Sequence, residues 1–247
     1  MAHSRVALVT GGAGGMGAET CRALARCGHA VAVADLVLDR CAEVARECGG
    51  VAVELDVTRP ESVARAADRV RGLLGPVEIC VACAGWDELR PFLETDEAFA
   101  ARVLEINLAG PIRVARAVLP QMRERRWGRL IHVASEAGRV GSSLEAVYSG
   151  AKGGLIAFTK TLAREFARDG ITANSVCPGL TETPLLAGMM AAEGAGPRVL
   201  GAVGRSIPLG RLGRPADVAA VIAFLASEEA EYVTGQTISV SGGLTMI

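Results

Sequence analysis

The sequence predicts an α/β protein built on one doubly wound, parallel sheet of about seven strands, with helices on both faces. Short apolar segments alternate with helix-length segments almost from end to end, which is the pattern of repeated β-α-β units. Half of the chain is hydrophobic but only 4% is aromatic, which favours close-packed helices and parallel strands over a β-sandwich. No repeat, low-complexity tract or linker divides the chain, so we expect a single domain over residues 1–247.

Seven segments are brief, apolar and closed by Gly, Pro, Asp or Ser, which predicts strands. They are Val6–Thr10, Ala30–Asp35, Val51–Leu55, Val77–Cys83, Arg129–Ala134, Ile171–Cys177 and Thr237–Val240. The segments between them have helical length, among them Met16–Cys27, Asp39–Glu47, Pro60–Leu74, Phe99–Met122 and Val147–Arg168. Right-handed crossovers would place all the carboxyl ends of the strands on one edge of the sheet, where ligands bind in such folds.

Residues 184–210 depart from this regular pattern because they contain six Gly and three Pro among apolar side chains. The segment follows the carboxyl end of the sixth predicted strand. Two interpretations stay open: an apolar flap over a substrate, or an ordinary surface insertion.

The overall composition argues against several classes of function. The formal net charge of −1 lacks the basic excess of most nucleic-acid-binding proteins. No stretch of 18 apolar residues predicts a membrane span. The odd number of cysteines, seven, disfavours a disulfide framework, and no cluster of ligands suggests a metal site. We therefore expect a cytoplasmic protein with a small-molecule substrate and no metal, nucleic-acid or membrane partner.

The first strand runs directly into a glycine-rich segment that opens a helix. Glycines let the backbone turn sharply and approach a pyrophosphate, whose negative charge is favoured at a helix N-terminus. Because the segment lies between the first strand and the first helix, it predicts dinucleotide binding. We assign to this loop Thr10, Gly11, Gly14, Gly15, Met16 and Gly17.

A carboxylate at the end of the second strand points to NAD rather than NADP. Asp35 would accept hydrogen bonds from the adenosine ribose and repel a 2′-phosphate, and no Lys or Arg follows it directly, since the next residue is Leu36. A simple turn at the end of the strand is the alternative. Asp56 and Val57 follow the third strand and would frame the adenine.

Three polar residues predict acid/base chemistry at the same edge. Tyr148 and Lys152 lie four residues apart on a helical segment and so share one face. A nearby ammonium lowers the pKa of a phenol and makes it a better acid or base. Ser135, at the carboxyl end of the fifth strand, would hold the substrate oxygen.

Together with Asn107 and Pro178-Gly179, these motifs resemble the classical short-chain dehydrogenase/reductase family over the whole chain. The resemblance implies a Rossmann-type fold, a homotetramer, and hydride transfer without a metal. Tyr148 would be the general acid/base and Ser135 would orient the substrate, while Asn107 would position a water in a proton relay. The implied contacts to the nicotinamide end of the coenzyme come from Tyr148, Lys152, Pro178, Gly179, Thr181 and Thr183.

One position departs from the family pattern. After the fourth strand the family usually has Asn-Asn-Ala-Gly, whereas this chain has Ala82-Cys83-Ala84-Gly85. A thiol cannot replace the hydrogen bonds of the Asn amide. We expect lower local rigidity, with the backbone contacts of Cys83, Ala84 and Gly85 to the adenosine ribose retained.

A narrower resemblance concerns the substrate. Gly85-Trp-Asp87, Arg139–Ser143 and Ser239–Met246 are similar to segments of the 2-hydroxycyclohexanecarboxyl-CoA dehydrogenases. This implies an NAD-dependent dehydrogenase for a β-hydroxyacyl-CoA. The alternatives are a 3-oxoacyl-(acyl-carrier-protein) reductase, which often has Arg where this chain has Asp169, an alcohol, diol or steroid dehydrogenase of the same family, and a non-catalytic nucleotide sensor.

Overall fold

Seven parallel strands form one continuous sheet in the computed structural model, which describes residues 4–247. The first three residues of the predicted domain lie outside this range. The order across the sheet is β3-β2-β1-β4-β5-β6-β7, so the direction of winding reverses between β1 and β4. The strands are β1 Val6–Thr10, β2 Ala30–Asp35, β3 Val51–Glu54, β4 Ile79–Ala82, β5 Gly128–Val133, β6 Ile171–Pro178 and β7 Thr237–Val240.

Helices follow the strands in the order that β-α-β units require. They are α1 Gly15–Arg26, α2 Leu38–Cys48, α3 Pro60–Leu74, α4 Glu97–Leu104, α5 Gly110–Arg125, α6 Ala137–Val140, α7 Ala146–Phe166, α8 Pro184–Ala191, α9 Gly196–Arg205 and α10 Pro215–Ala226. Short 3-10 turns occur at Phe92–Glu94 and Ala167–Asp169.

Both faces of the sheet are covered, because successive strand residues point to opposite sides. Leu8 and Leu130 pack in a core with α3, α5 and α7. Val9 and Ile131, each one position further along, pack in a second core with α1, α2 and α10. The predicted doubly wound parallel architecture is therefore confirmed.

The predicted strand and helix positions agree with the structure to within a few residues. Among the strands, the largest error is at β4, predicted as Val77–Cys83 and observed as Ile79–Ala82. Apolar residues beside a strand look the same in sequence as the strand itself, so pattern alone does not mark where pairing ends.

The long helix expected around Phe99–Met122 is interrupted. A π-helical turn at Glu105–Ala109 separates α4 from α5. Such turns break the regular i to i−4 ladder and often mark functional sites. The break contains Asn107, whose side chain is completely buried.

Residues 184–210 contain two helices, α8 and α9, rather than irregular chain. Thr183 caps α8, since its hydroxyl accepts a hydrogen bond of 3.2 Å from the Leu186 amide. Neither helix has an extensive buried face, and only Gly196 and Leu200 among their residues are buried. Their partly exposed apolar side chains bear on the site described below.

No helix within residues 4–247 is long and apolar enough to cross a membrane.

We predict opposite effects of the same substitution at two glycines near α7. A Cβ on Gly138 would lie 2.7 Å from the Lys152 carbonyl carbon, whereas one on Gly150 would have no atom within 4 Å. Gly138→Ala should therefore lower the free energy of unfolding by about 1–3 kcal/mol, and Gly150→Ala should raise it by about 0.5–1 kcal/mol. Denaturant unfolding of both variants measures this, and equal stability of the two would contradict the close packing of α6 on α7.

Candidate active site

The carboxyl ends of the strands open onto a cavity of about 430 Å³. Ser135 follows β5, Pro178 ends β6, and both line this cavity together with Tyr148 from α7. The crevice between β1 and β4, where the winding reverses, lies on the same edge. The sheet thus gathers the predicted coenzyme and catalytic residues along one side.

The glycine loop has the close backbone packing that the sequence predicts. A Cβ on Gly17 would lie 2.0 Å from the Gly11 carbonyl oxygen, and one on Gly11 would lie 2.8 Å from the Ala84 nitrogen. At Gly14, by contrast, no atom lies within 4 Å of the position that a Cβ would occupy. Gly14 caps α1 without any side-chain hydrogen bond, so the first amides of the helix face open space at this loop.

The other residues of the glycine loop contact the ends of β1 and β4 and the start of α8. The Thr10 hydroxyl accepts a hydrogen bond of 3.3 Å from the Ala84 amide, which links the ends of β1 and β4. A Cβ on Gly15 would lie 3.1 Å from Thr183, and Met16 lines the cavity. The glycine loop and the segment that begins α8 therefore face each other.

Asp35 supports the glycine loop as well as ending β2. Its two carboxylate oxygens accept hydrogen bonds from the amides of Ala13 (3.2 Å) and Leu36 (2.8 Å). Leu36 itself is 63% exposed and carries no charge. The negative charge at the end of β2 thus has no cation in the residue that follows it.

The end of β3 is ordered by a turn of polar groups. Asp56 accepts hydrogen bonds from the Thr58 amide (2.9 Å) and hydroxyl (2.6 Å). Val57 is buried, and a Cβ on Gly110 would come within 2.8 Å of it. These contacts hold the predicted adenine-side residues next to the start of α5.

Lys152 is anchored in the protein interior. Lys152 is only 3% exposed. Its Nζ donates a hydrogen bond of 2.9 Å to the Val133 carbonyl at the end of β5. The ammonium lies 5.6 Å from the centre of the Tyr148 ring. Burial lowers the pKa of Lys152 to about 8.

The pKa of the Tyr148 phenol is raised above its ordinary value, first by burial and then by Glu145 and Asp87. Interaction with the Ser135 hydroxyl acts in the opposite direction. The Lys152 ammonium, which we expected to lower this pKa, is not among the main influences on it; desolvation comes first and the two carboxyl groups follow. The sequence pattern of Tyr148 and Lys152 contains no information about those carboxyl groups.

The Asn107 side chain is used within the protein. Its amide nitrogen donates to the carbonyls of Trp86 (2.6 Å) and Val103 (3.0 Å), and its oxygen accepts from the Trp86 amide at 3.3 Å. A Cβ on Gly85 would lie 3.1 Å from the same oxygen. Asn107 thus fixes the loop after β4, and it affects the site through the position of that loop.

Cys83 is partly buried, and burial raises its pKa to about 11, so the thiol is neutral at pH 7. It is the second cysteine of a Cys80-Val-Ala-Cys83 segment, a C-x-x-C spacing that the sequence analysis does not use. Cys80 packs in the core with α5, whereas Cys83 packs against the core with α1. Residues three apart on a strand point to opposite faces, so the two thiols do not converge on one site.

The segment after β6 closes the edge of the cavity. Gly179 pairs with Val240 through a hydrogen bond of 3.1 Å, and the Thr181 hydroxyl donates to the Gly179 carbonyl at 3.0 Å. Pro178, Gly179, Thr181 and Thr183 all line the cavity. The four residues that the resemblance assigns to the nicotinamide end therefore lie together.

Three acidic residues in the cavity wall were missed by the sequence analysis as site residues. Asp87, Glu136 and Glu145 all line the cavity with Ser135 and Tyr148. Glu136 follows Ser135 directly, and Glu145 lies three residues before Tyr148. This closeness in the chain is the only signal of their role that the sequence offers. Apolar residues of α8 and α9 complete the wall, namely Leu185, Leu186, Met189, Val199 and Val203.

A parallel sheet that brings a glycine loop and a Ser, Tyr and Lys set to one edge is the arrangement of a nicotinamide-dependent oxidoreductase. A family model described as enoyl-(acyl carrier protein) reductase matches residues 11–245. The chain belongs to the short-chain dehydrogenase/reductase family, and it is an oxidoreductase of that family.

Curated relatives match along nearly their whole length. The chain is 40% identical to a cis-4-hydroxycyclohexanecarboxylate dehydrogenase of Sinomonas cyclohexanicum, over 98% of this chain and 97% of the relative. It is 36% identical to a 3-oxoacyl-(acyl-carrier-protein) reductase of Vibrio cholerae, over 99% of both chains. It is 37% identical to an acetoacetyl-CoA reductase of Shinella zoogloeoides, over 97% of this chain and 98% of the relative.

A solved structure with the same fold is described as ribose-5-phosphate isomerase from Brucella melitensis 16M. The TM-score is 0.91 at 33% identity, over 98% of this chain and 92% of that chain. One fold supports many chemistries, so this likeness bears on architecture rather than on the reaction.

We predict that Gly17→Ala weakens coenzyme binding, because the new Cβ would collide with the Gly11 carbonyl and displace the glycine loop. The dissociation constant for NADH, measured by fluorescence titration, should rise at least about tenfold. Gly72→Ala on α3 is the control, since no atom lies within 4 Å of its Cβ position. Unchanged NADH affinity in the Gly17 variant would show that the loop does not form the coenzyme site.

Proposed function

We propose that the protein is an NAD-dependent dehydrogenase that interconverts a secondary alcohol and a ketone. The observation that carries this proposal is the placement of Tyr148 and Ser135 on one cavity, with the buried Lys152 ammonium fixed behind the phenol by the Val133 carbonyl. No hydrolytic nucleophile is needed for this chemistry, only proton transfer at an oxygen beside a hydride acceptor.

The residues of the site fit a dinucleotide. The open space at Gly14 and the uncapped first turn of α1 suit a pyrophosphate. Asp35 would hold the adenosine ribose, Asp56 and Val57 the adenine, and Cys83 to Gly85 the ribose through their backbone. Lys152 and the residues at 178–183 would hold the nicotinamide half. The bound nicotinamide would supply the hydride acceptor or donor.

In the oxidative direction, Ser135 orients the substrate hydroxyl and the Tyr148 phenolate takes its proton. The bound nicotinamide would accept a hydride from the carbon that bears this hydroxyl, which would give a ketone, the reduced coenzyme and a proton. Burial and nearby carboxyl groups raise the pKa of Tyr148. Formation of the phenolate would therefore depend on a nearby positive charge, which Lys152 supplies at a fixed position.

The preference for NAD rests on the negative charge of Asp35 without a neighbouring cation at Leu36. A 2′-phosphate would meet that carboxylate and find no partner.

For the substrate, we propose a β-hydroxyacyl-CoA with an alicyclic or branched acyl group. The apolar wall from α8 and α9 suits a ring, and a relative acts on a hydroxycyclohexane ring by name. An acidic carrier protein is a weaker candidate, because Asp169 pairs with Arg126 (3.3 Å) and Arg123 (3.5 Å) and neutralises the basic group at the end of α5.

Two further expectations stay proposals. The family resemblance implies a homotetramer, and an apolar groove between α5 and α7, which Leu119 and Phe158 line, is a suitable contact surface. We also propose that the protein works in the cytoplasm as a single domain, with α8 and α9 acting as the flap over the substrate.

The catalytic assignment predicts the effect of Tyr148→Phe. This substitution removes the proton-transferring hydroxyl and keeps the ring, so turnover of a cyclic secondary alcohol should fall about 10²-fold or more. NADH formation measured by absorbance reports turnover, and fluorescence titration should show retained NADH binding. Activity within a few-fold of the native protein would remove Tyr148 from this role.

The coenzyme assignment predicts a change of preference in a double variant. Asp35→Ser with Leu36→Arg removes the repulsion of the 2′-phosphate and adds a partner for it, so kcat/KM should shift from NAD toward NADP. Leu36→Arg alone is the matched control, and it should shift the ratio less because Asp35 remains. Equal use of both coenzymes by the native protein would contradict the role of Asp35.

A further inference from the structure

Three carboxyl groups line the cavity that contains the Tyr148 hydroxyl: Asp87 from the loop after β4, Glu136 beside Ser135, and Glu145 at the start of α7. No Lys, Arg or His from residues 4–247 is among the lining residues. The rest of the wall is largely apolar, from α8, α9 and Val140. The cavity therefore combines an apolar surface with negative potential.

Two of these carboxyl groups are almost fully buried and have unpartnered oxygens. Asp87 and Glu136 are each 5% exposed. Both carboxyl oxygens of Glu136 and the Oδ2 of Asp87 lack a hydrogen-bond partner within the described residues. Buried polar atoms in native proteins are nearly always satisfied, so oxygens that line a ligand-sized cavity and lack a partner point to a polar group of the ligand.

The nearest cations are held away from these oxygens. Lys152 donates to the Val133 carbonyl at 2.9 Å. Arg139, one turn after Glu136, donates to the Thr237 carbonyl at 3.4 Å and to the Ser239 hydroxyl. Neither forms a salt bridge with Asp87, Glu136 or Glu145 in the described chain.

Asp87 and Glu145 form a pair. Both line the cavity, and the Glu145 carboxyl group acts on the pKa of Asp87. Burial, followed by the charge of Glu145, raises the pKa of Asp87 to about 8, and Lys152 opposes this only weakly. At neutral pH the pair therefore retains a proton and can donate a hydrogen bond as well as accept one.

The backbone fixes this pair in place. Leu144, directly before Glu145, has a φ of +70°, which is a strained conformation for a residue with a side chain. Its carbonyl accepts a hydrogen bond of 2.9 Å from the Arg90 amide, so the start of α7 is tied to the loop that carries Asp87. Strain that the surrounding structure maintains is typical of functional sites.

We propose that Asp87, Glu145 and Glu136 determine substrate specificity, by selecting substrates that are uncharged around the reacting carbon and rejecting carboxylates. This inference rests on the proposed dehydrogenase function and sharpens it: the acyl group would be presented as a thioester, ester or amide, never as the free acid. A carboxylate would meet two or three like charges with no counter-ion, whereas a neutral carbonyl or hydroxyl would accept or donate hydrogen bonds at the same oxygens.

The inference sets this chain apart from its relative that acts, by name, on a hydroxycyclohexanecarboxylate. The two chains share 40% identity, so the overall architecture does not determine how each handles a negative charge on the ring. The charges that line the cavity would make that distinction.

The test compares 2-hydroxycyclohexanecarboxamide with 2-hydroxycyclohexanecarboxylate, two probes of the same size that differ in charge. For the native protein with NAD at pH 7, kcat/KM for the amide should exceed that for the carboxylate at least about tenfold, mostly through KM. The double variant Asp87→Asn with Glu145→Gln, which removes the negative charge that the pair retains, and the single variant Glu136→Gln should each narrow this ratio by lowering the KM of the carboxylate. A native protein that uses both probes equally well would overturn the inference.

Asp68→Asn is the matched control, because Asp68 is an exposed carboxylate on α3 that does not line the cavity. It changes the net charge of the protein equally and should leave the ratio unchanged. If it narrowed the ratio as much as Glu136→Gln, or if the cavity variants slowed both probes alike, the three carboxyl groups would have no selective role.

A binding measurement separates this inference from the proposed function. Cyclohexanecarboxamide, cyclohexanecarboxylate and cyclohexylamine are titrated calorimetrically into the full chain in the presence of NADH. Tighter binding of the amide than of the anion, with a smaller difference in Glu136→Gln, supports the inference whether or not alcohols are oxidised. Preference for the amine or the anion overturns it. Absence of any Tyr148-dependent NADH formation counts against the dehydrogenase alone.

Discussion

The hydrogen bond from the Lys152 ammonium to the Val133 carbonyl holds the site together. Val133 ends β5, and the Tyr148 and Lys152 side chains come from α7, so this one contact ties the catalytic helix to the sheet. The ammonium is almost fully buried, and a buried charge is tolerated only where it is hydrogen-bonded. Its position relative to the phenol is consequently fixed by the ladder of the sheet rather than by a mobile surface contact.

The close approach of α6 to α7 follows from the same constraint. Gly138 lies against the backbone of Lys152 with no room for a side chain, and Ser135 and Glu136 lie three and two residues before it. This packing contact therefore bears on the positions of Ser135, of the Glu136 carboxyl group beside it and of the buried Lys152 ammonium. Small displacements there would alter proton transfer and substrate charge selection together.

The sequence predicts the sheet well because its signals are local. Alternation of apolar and helical segments specifies seven strands, and strand–glycine–helix order specifies the coenzyme edge, without knowledge of any long-range contact. The interruption at Asn107 was not predicted, because a π-helical turn has the same apolar pattern as the helix around it. The two helices within 184–210 were not predicted either, since their glycines and prolines suggest loops.

The carboxyl groups of the cavity show the limit of local reasoning. Asp87 and Glu145 belong to different connections of the fold and meet only because the loop after β4 hydrogen-bonds to the start of α7. Read separately, each looks like an ordinary polar loop residue. Together with burial, which is the larger cause, they raise the pKa of Tyr148, so the electrostatics of the site depend on contacts that no motif encodes.

The raised pKa of Tyr148 connects proton transfer to substrate choice. A carboxylate substrate would add a further negative charge near a phenol whose ionisation is already opposed by Glu145 and Asp87. It would thus bind poorly and also leave Tyr148 less able to accept a proton. A neutral acyl derivative avoids both penalties. The same two carboxyl groups would therefore act on KM through direct repulsion and on kcat through the phenol, which is a stronger discrimination than either effect alone.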